Sequence, residues 1–101
     1  MALKIFWTEE AISSYNKVID YLIEYWTERE VVKFTDALTK KLGLLTSGNV
    51  TFKSSVKKSY HEILITKHNL LIYRTKPEHV ELILFWDTRK NPKKKKIKNV
   101  I

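Results

Sequence analysis

The spacing of apolar residues changes partway along this 101-residue chain, and that change limits the folds open to it. Ala11, Ile12, Tyr15, Val18, Ile19, Leu22, Ile23 and Trp26 recur at steps of three and four, the period of one helix face. Val31, Phe34, Leu38, Leu42 and Leu45 repeat the pattern in a second helix. From Tyr60 onward the apolar residues come instead in short runs, 60–66, 70–75 and 80–86, with His68-Asn69 and Pro77-Glu78 between them. Such runs, separated by turn-forming pairs, read as an antiparallel meander. Leu3 to Trp7 reads as a further short strand. The expected fold is therefore α+β: an N-terminal strand, an antiparallel helical hairpin, then a three-stranded antiparallel meander.

Local signals mark the helix boundaries. Thr8 is placed as an N-cap, with Glu9 and Glu10 set against the helix dipole. Thr27-Glu28-Arg29-Glu30 fits a capping box and starts the second helix directly after Trp26, so the two helices should form a tight hairpin. Gly48 is the candidate left-handed cap at the far end. Residues 1–92 read as one domain and 93–101 as a basic tail.

If both turn pairs are two-residue loops, the sheet faces can be assigned. Tyr60, Leu64, Leu71, Tyr73, Val80, Leu82, Leu84 and Trp86 should then face the helices. His61, Ile63, Ile65, Ile72, Arg74, Glu81, Ile83, Phe85 and Asp87 should face away, with Arg74 across from Glu81. A slip of one residue inverts both lists. On this register Ile63, Ile65, Ile72, Ile83 and Phe85 form an apolar strip rimmed by charge, the pattern of a docking surface. Trp7, Trp26 and Trp86 read as core or hairpin residues, and His68 and His79 as plain turn residues.

Charge supplies the main functional hint. Residues 1–50 hold six Lys/Arg and seven Asp/Glu, a net of −1. Residues 51–101 hold thirteen and four, a net of +9, so the whole excess of +8 lies in the second half. Such asymmetry fits a polyanionic or acidic partner. There is no cysteine, which excludes disulfides and thiolate metal sites. His61, His68 and His79 lack metal-ligand spacing, so neither metal nor cofactor is expected. No apolar run approaches the roughly 20 residues of a membrane span, and Glu9 and Glu10 interrupt any signal-peptide pattern. A cytoplasmic protein without membrane contact is expected.

Several stretches together resemble the RelE/ParE toxin family. Ile5-Phe6-Trp7-Thr8-Glu9-Glu10-Ala11 looks like its opening strand and cap, and Ile19-Asp20-Tyr21-Leu22 with Trp26 like its first helix. Ile65-Thr66-Lys67-His68-Asn69 with Leu71-Ile72-Tyr73-Arg74 resembles its central hairpin. Phe85-Trp86-Asp87-Thr88-Arg89-Lys90-Asn91-Pro92 is similar to a common family ending. The resemblance implies the toxin of a type II toxin–antitoxin system, held by a cognate acidic antitoxin that is expected to lie on the apolar strip or along the exposed edge of the helical hairpin. It also implies one of two outcomes: ribosome-dependent mRNA cleavage, favoured by family frequency, or non-catalytic inhibition of DNA gyrase. A basic nucleic-acid-binding module without a toxin role is a third reading.

For cleavage without metal, the candidates are His61 or a lysine of lowered pKa as base, with Arg74 and Arg89 as cationic partners for the phosphate. Lys53, Lys57, Lys58, Lys90, Lys93, Lys94 and Lys95 are the candidate RNA or phosphate contacts. Family ribonucleases commonly carry an Arg near the start of the second strand, an Arg after the last strand, and a Tyr or His near the C-terminus. His61 and Arg89 stand at or near the first two positions, and after Asp87 the chain has no Tyr and no His.

Overall fold

A computed structural model describes residues 3–47 and 60–89. The order of elements is β1 (Lys4–Trp7), α1 (Glu9–Tyr25), α2 (Glu28–Thr46), β2 (His61–Thr66), β3 (Asn69–Thr75) and β4 (His79–Asp87). The expected α+β order is therefore the observed one. β2, β3 and β4 form the antiparallel meander, and β1 joins its free side, giving the sheet order β1-β4-β3-β2. β1 runs parallel to β4, with Ile5 beside Val80 and Trp7 beside Leu82. No turn joins these two strands; the helical hairpin carries the chain to the far edge of the sheet, and β2 and β3 bring it back to β4, a connection of the long kind that a parallel pair requires.

Thr8 begins α1 as its sequence position suggested, for its side chain accepts the Ala11 N–H at 3.1 Å. Its hydroxyl also donates to the Leu82 carbonyl at 2.8 Å, fastening the start of the helix to β4. Thr27 is the N-cap of α2, but its side chain makes no capping bond; its carbonyl accepts the Glu30 N–H at 2.9 Å instead. Only Trp26 and Thr27 separate the helices. The Leu3 N–H donates to the Thr46 carbonyl at 2.8 Å, tying the end of α2 to the start of β1. Gly48 and the tail 93–101 lie outside the described residues.

Two β-bulges decide which residues enter the core. The β2–β3 turn is Lys67-His68, one residue earlier than expected. Thr66 pairs with Asn69, but Leu64 pairs with Leu70, so the ladder slips by one residue between them. The Pro77-Glu78 turn holds, and Arg74 lies opposite Glu81 as expected. One step further along, Tyr73 faces Leu82 while Ile72 faces Leu84, a second slip that inserts an extra residue into β4. A bulge inverts alternation beyond it, so both ends of the assigned faces need correction. Ile63, Ile65 and Phe85, expected to face away from the helices, are buried against them with Phe34, Leu38, Leu71 and Leu82. Ile72 and Ile83 do lie on the opposite face, but buried with Tyr60 and packed against Leu84. Leu64 and Tyr60, assigned to the helix face, are exposed and in the second cluster respectively.

The helix-side core is centred on aromatic rings. Phe85 stacks on Trp7 at 5.7 Å and meets Tyr15 and Phe34 edge-on at 5.7 and 6.2 Å, geometries that add to the area term. β1 covers β4 only as far as Leu82, and beyond that point α1 takes over. The Ser14 hydroxyl accepts the Phe85 N–H at 2.9 Å, standing in for a neighbouring strand. Trp26, read as a core or hairpin residue, lies at the hairpin between α1 and α2 and is 56% exposed. Among the described residues, no helix is long and apolar enough to cross a membrane.

Candidate functional site

Beside the helical hairpin, α1, α2, the β2–β3 turn and the end of β4 enclose a cleft of about 430 Å³. Its floor includes Val18, Leu22, Phe34 and Phe85, of which Phe34 and Phe85 are almost fully buried. Tyr21 and Trp26 stand exposed among the lining residues. Lys17, Lys33, Lys67 and Arg89 contribute cations, against the carboxylates of Glu30 and Asp87. The arrangement is an apolar floor with a positive margin, which suits an anionic ligand that also carries an apolar group.

Short-range bonds fix the margin. The Thr88 N–H donates to the His68 carbonyl at 3.0 Å, and its hydroxyl to the Lys67 carbonyl at 3.3 Å. Asn69 braces the same turn by donating from Nδ2 to the Thr66 hydroxyl at 2.8 Å. Arg89 follows directly. Its Nε and Nη2 donate to the two carboxylate oxygens of Asp87 at 3.0 and 2.8 Å, and its guanidinium lies 5.6 Å from the centre of the Tyr21 ring. Hydrogen bonding to Asp87 first, and to Tyr21 second, raises the Arg89 pKa above its ordinary value. Arg89 therefore stays charged at any pH at which the chain folds.

The three residues singled out for catalysis do not come together. His61 begins β2 opposite Tyr73, with the two rings 5.3 Å apart, and its Nδ1 is buried without a hydrogen-bond partner among the described residues. Arg74 was expected on the same face as His61 but projects to the other side. There it ion-pairs with Glu81 and lies 5.3 Å above the Tyr60 ring. The Nε–Oε1 distance is 2.9 Å, so its charge is already answered. Arg89 lies beyond Asp87, which pairs with Asn69. His61 and Arg89 are thus at opposite ends of the β3 ladder, separated by roughly 13 Å over four strand residues.

The expected docking strip fares no better as a surface. Ile63, Ile65, Ile72, Ile83 and Phe85 are each at most 6% exposed and divide between two faces. Lys53, Lys57, Lys58, Lys90, Lys93, Lys94 and Lys95 lie outside the described residues. Sequence reasoning missed His68, Lys67, Lys17 and Lys33 as cleft residues, because single lysines and a turn histidine carry no local motif. Spacing did hold part of the signal: Lys17, Tyr21 and Val18 fall at helical steps on the side of α1 that meets the β2–β3 turn. Among the described residues, no group of His, Asp or Glu is placed to hold a metal ion.

The fold is RelE/ParE-like. A chain of the chromosomal ParDE TA system from P. aeruginosa superposes with a TM-score of 0.70 at 10% identity, over 85% of this chain and 96% of that one. A conserved hypothetical protein from Helicobacter pylori follows at 0.59 and 18%, covering 87% and 97%. The YoeB dimer from Staphylococcus aureus gives 0.51 and 16%, covering 85% and 97%. The sequence matches no protein-family model and no curated protein. At these identities the likeness is one of fold.

Proposed function

We propose that the chain is the toxin of a type II toxin–antitoxin system, held inactive by an acidic antitoxin. In this reading it stops growth by occupying its target, DNA gyrase, rather than by cutting mRNA. The toxin assignment is supported by the fold shared with the ParDE and YoeB structures and by a net charge of +8 confined to the second half of the chain. The non-catalytic half of the reading is carried by one observation: His61, Arg74 and Arg89 point to three different places. A base and its cationic partners act on one phosphate only when they converge within hydrogen-bond reach. Inhibition by binding has no such requirement.

A ribonuclease reading has one observation in its favour, the presence of His68 and Arg89 in the same cleft. In that case His68, not His61, is the base. The experiment is a gyrase supercoiling assay run beside ribosome-programmed cleavage of a defined mRNA, with purified chain. The proposed reading gives inhibited supercoiling and intact mRNA. Cleavage that disappears in His68→Ala would install the ribonuclease reading in its place.

A further inference from the structure

We propose that Asp87 is a built-in competitor for Arg89, closing the cleft margin until a carboxylate on an acidic peptide with an apolar side chain replaces it. The inference deepens the antitoxin reading above and rests on it for the biological partner.

Asp87 and Arg89 are two residues apart, at the point where β4 ends. The Asp87 carboxylate takes the Arg89 backbone N–H at 2.9 Å, Nε at 3.0 Å and Nη2 at 2.8 Å. This is the planar two-pronged match for which guanidinium groups are suited. The site therefore already displays the chemistry of its ligand, a carboxylate lying flat on the Arg89 fork. Because the Arg89 side chain is 48% exposed and that of Asp87 28%, water and salt screen the pair and its net contribution is small. A competitor of low net strength holds the cation in place yet yields to a better-anchored carboxylate.

The better anchor is the apolar floor. Asp87 stands at the margin and fills none of the space over Val18, Leu22, Phe34 and Phe85. A peptide that places a leucine or phenylalanine there gains burial while its neighbouring acid takes the Arg89 fork. Lys17, Lys33 and Lys67 then face its further acidic groups. A nucleic-acid strand fits less well, since it brings no aliphatic group to the apolar floor. The same pair discriminates: an anion lacking an apolar anchor has nothing beyond charge with which to displace Asp87.

The test uses the purified full chain, Asp87→Asn, Arg89→Gln and Asp36→Asn. Asp36 is exposed on α2 away from the cleft, so its variant controls for one unit of charge. The probe is an end-capped, fluorescently labelled peptide alternating glutamate and leucine, with labelled oligouridylate as the second arm. Asp87→Asn should bind the peptide about two- to fivefold more tightly than the parent chain. Arg89→Gln should bind it at least about tenfold more weakly, with unchanged melting temperatures for both. The oligouridylate affinity of Asp87→Asn should match that of Asp36→Asn. No peptide binding by Asp87→Asn, a gain no larger than that of Asp36→Asn, or an equal gain for oligouridylate would overturn the proposal. These affinities are read without any cell, so a chain that fails to arrest growth overturns the toxin reading alone.

Discussion

Thr8 donates its hydroxyl to the Leu82 carbonyl at 2.8 Å across 74 residues of sequence, while its oxygen accepts the Ala11 N–H at 3.1 Å. One side chain thus caps α1 and ties it to β4 at the last position β1 covers, where Trp7 lies beside Leu82. Thr8→Val keeps the shape and removes both bonds. It should destabilise the fold by about 1–3 kcal/mol, read as a lowered urea midpoint with unchanged slope. Thr8→Ser should recover most of the loss.

Phe85 is the centre of the helix-side core and contributes to the cleft floor from there. Its ring touches Trp7, Tyr15 and Phe34 and only 4% of it is exposed. Phe85→Ala should cost about 3–5 kcal/mol, and Phe85→Lys should not yield folded protein, because the ammonium has no partner there. Ser14→Ala leaves the Phe85 N–H without its acceptor and should cost about 1–3 kcal/mol. Leu64 is 52% exposed, and Leu64→Ala should change stability by less than about 0.5 kcal/mol. Denaturant melts of Phe85→Ala, Ser14→Ala and Leu64→Ala, followed by circular dichroism, check the order.

The contrast between Leu64 and Phe85 shows what the sequence concealed. Elements with one apolar face were readable: α1 and α2 from their three- and four-residue steps, Thr8 from its position, the Pro77-Glu78 turn and the Arg74–Glu81 pairing from turn chemistry. The bulges were not. Residues 80–86 are apolar on both faces, so alternation carries no register information once an extra residue enters near Ile83. In β2 the slip between Leu64 and Thr66 has the same effect on Ile63 and Ile65. The cleft was hidden for a different reason. Its cations come from α1, α2, a turn and the end of β4, and only the folded chain brings Lys17, Lys33, Lys67 and Arg89 to one place.

Arg74 should matter for stability and not for activity. It pairs with Glu81 across β3 and β4 and lies over Tyr60, away from the cleft. A double-mutant cycle with Arg74→Ala and Glu81→Ala should return a coupling of roughly 0.5–2 kcal/mol. Growth arrest by folded Arg74→Ala at matched protein levels should equal that of the parent chain. A loss of arrest without a loss of fold would place Arg74 at the target surface.

The charge of Arg89 should be insensitive to pH. Asp87 and Tyr21 raise its pKa, and a cation with a raised pKa contributes below its unfolded value and loses that contribution only as pH climbs through the folded one. Both values lie far above neutrality. Affinity for an acidic peptide should therefore be flat between about pH 7 and pH 9 while falling as salt is added. A titration at fixed ionic strength reads the first effect, and a salt series at fixed pH the second. A sharp pH step within that window would mean that a group other than Arg89 governs binding.

Occupancy of the target without cleavage is the property that most sharply defines the proposed toxin. The most direct measurement is induced expression in cells carrying a reporter plasmid. Plasmid topoisomers and mRNA 5′ ends are followed together, with His61→Ala as the comparison. Growth arrest with loss of negative supercoiling, uncut mRNA, and the same arrest from His61→Ala at equal protein levels are the expected results. New mRNA ends at ribosome positions on unchanged topoisomers would contradict occupancy as the mode of action, and their loss in His68→Ala would install the ribonuclease reading.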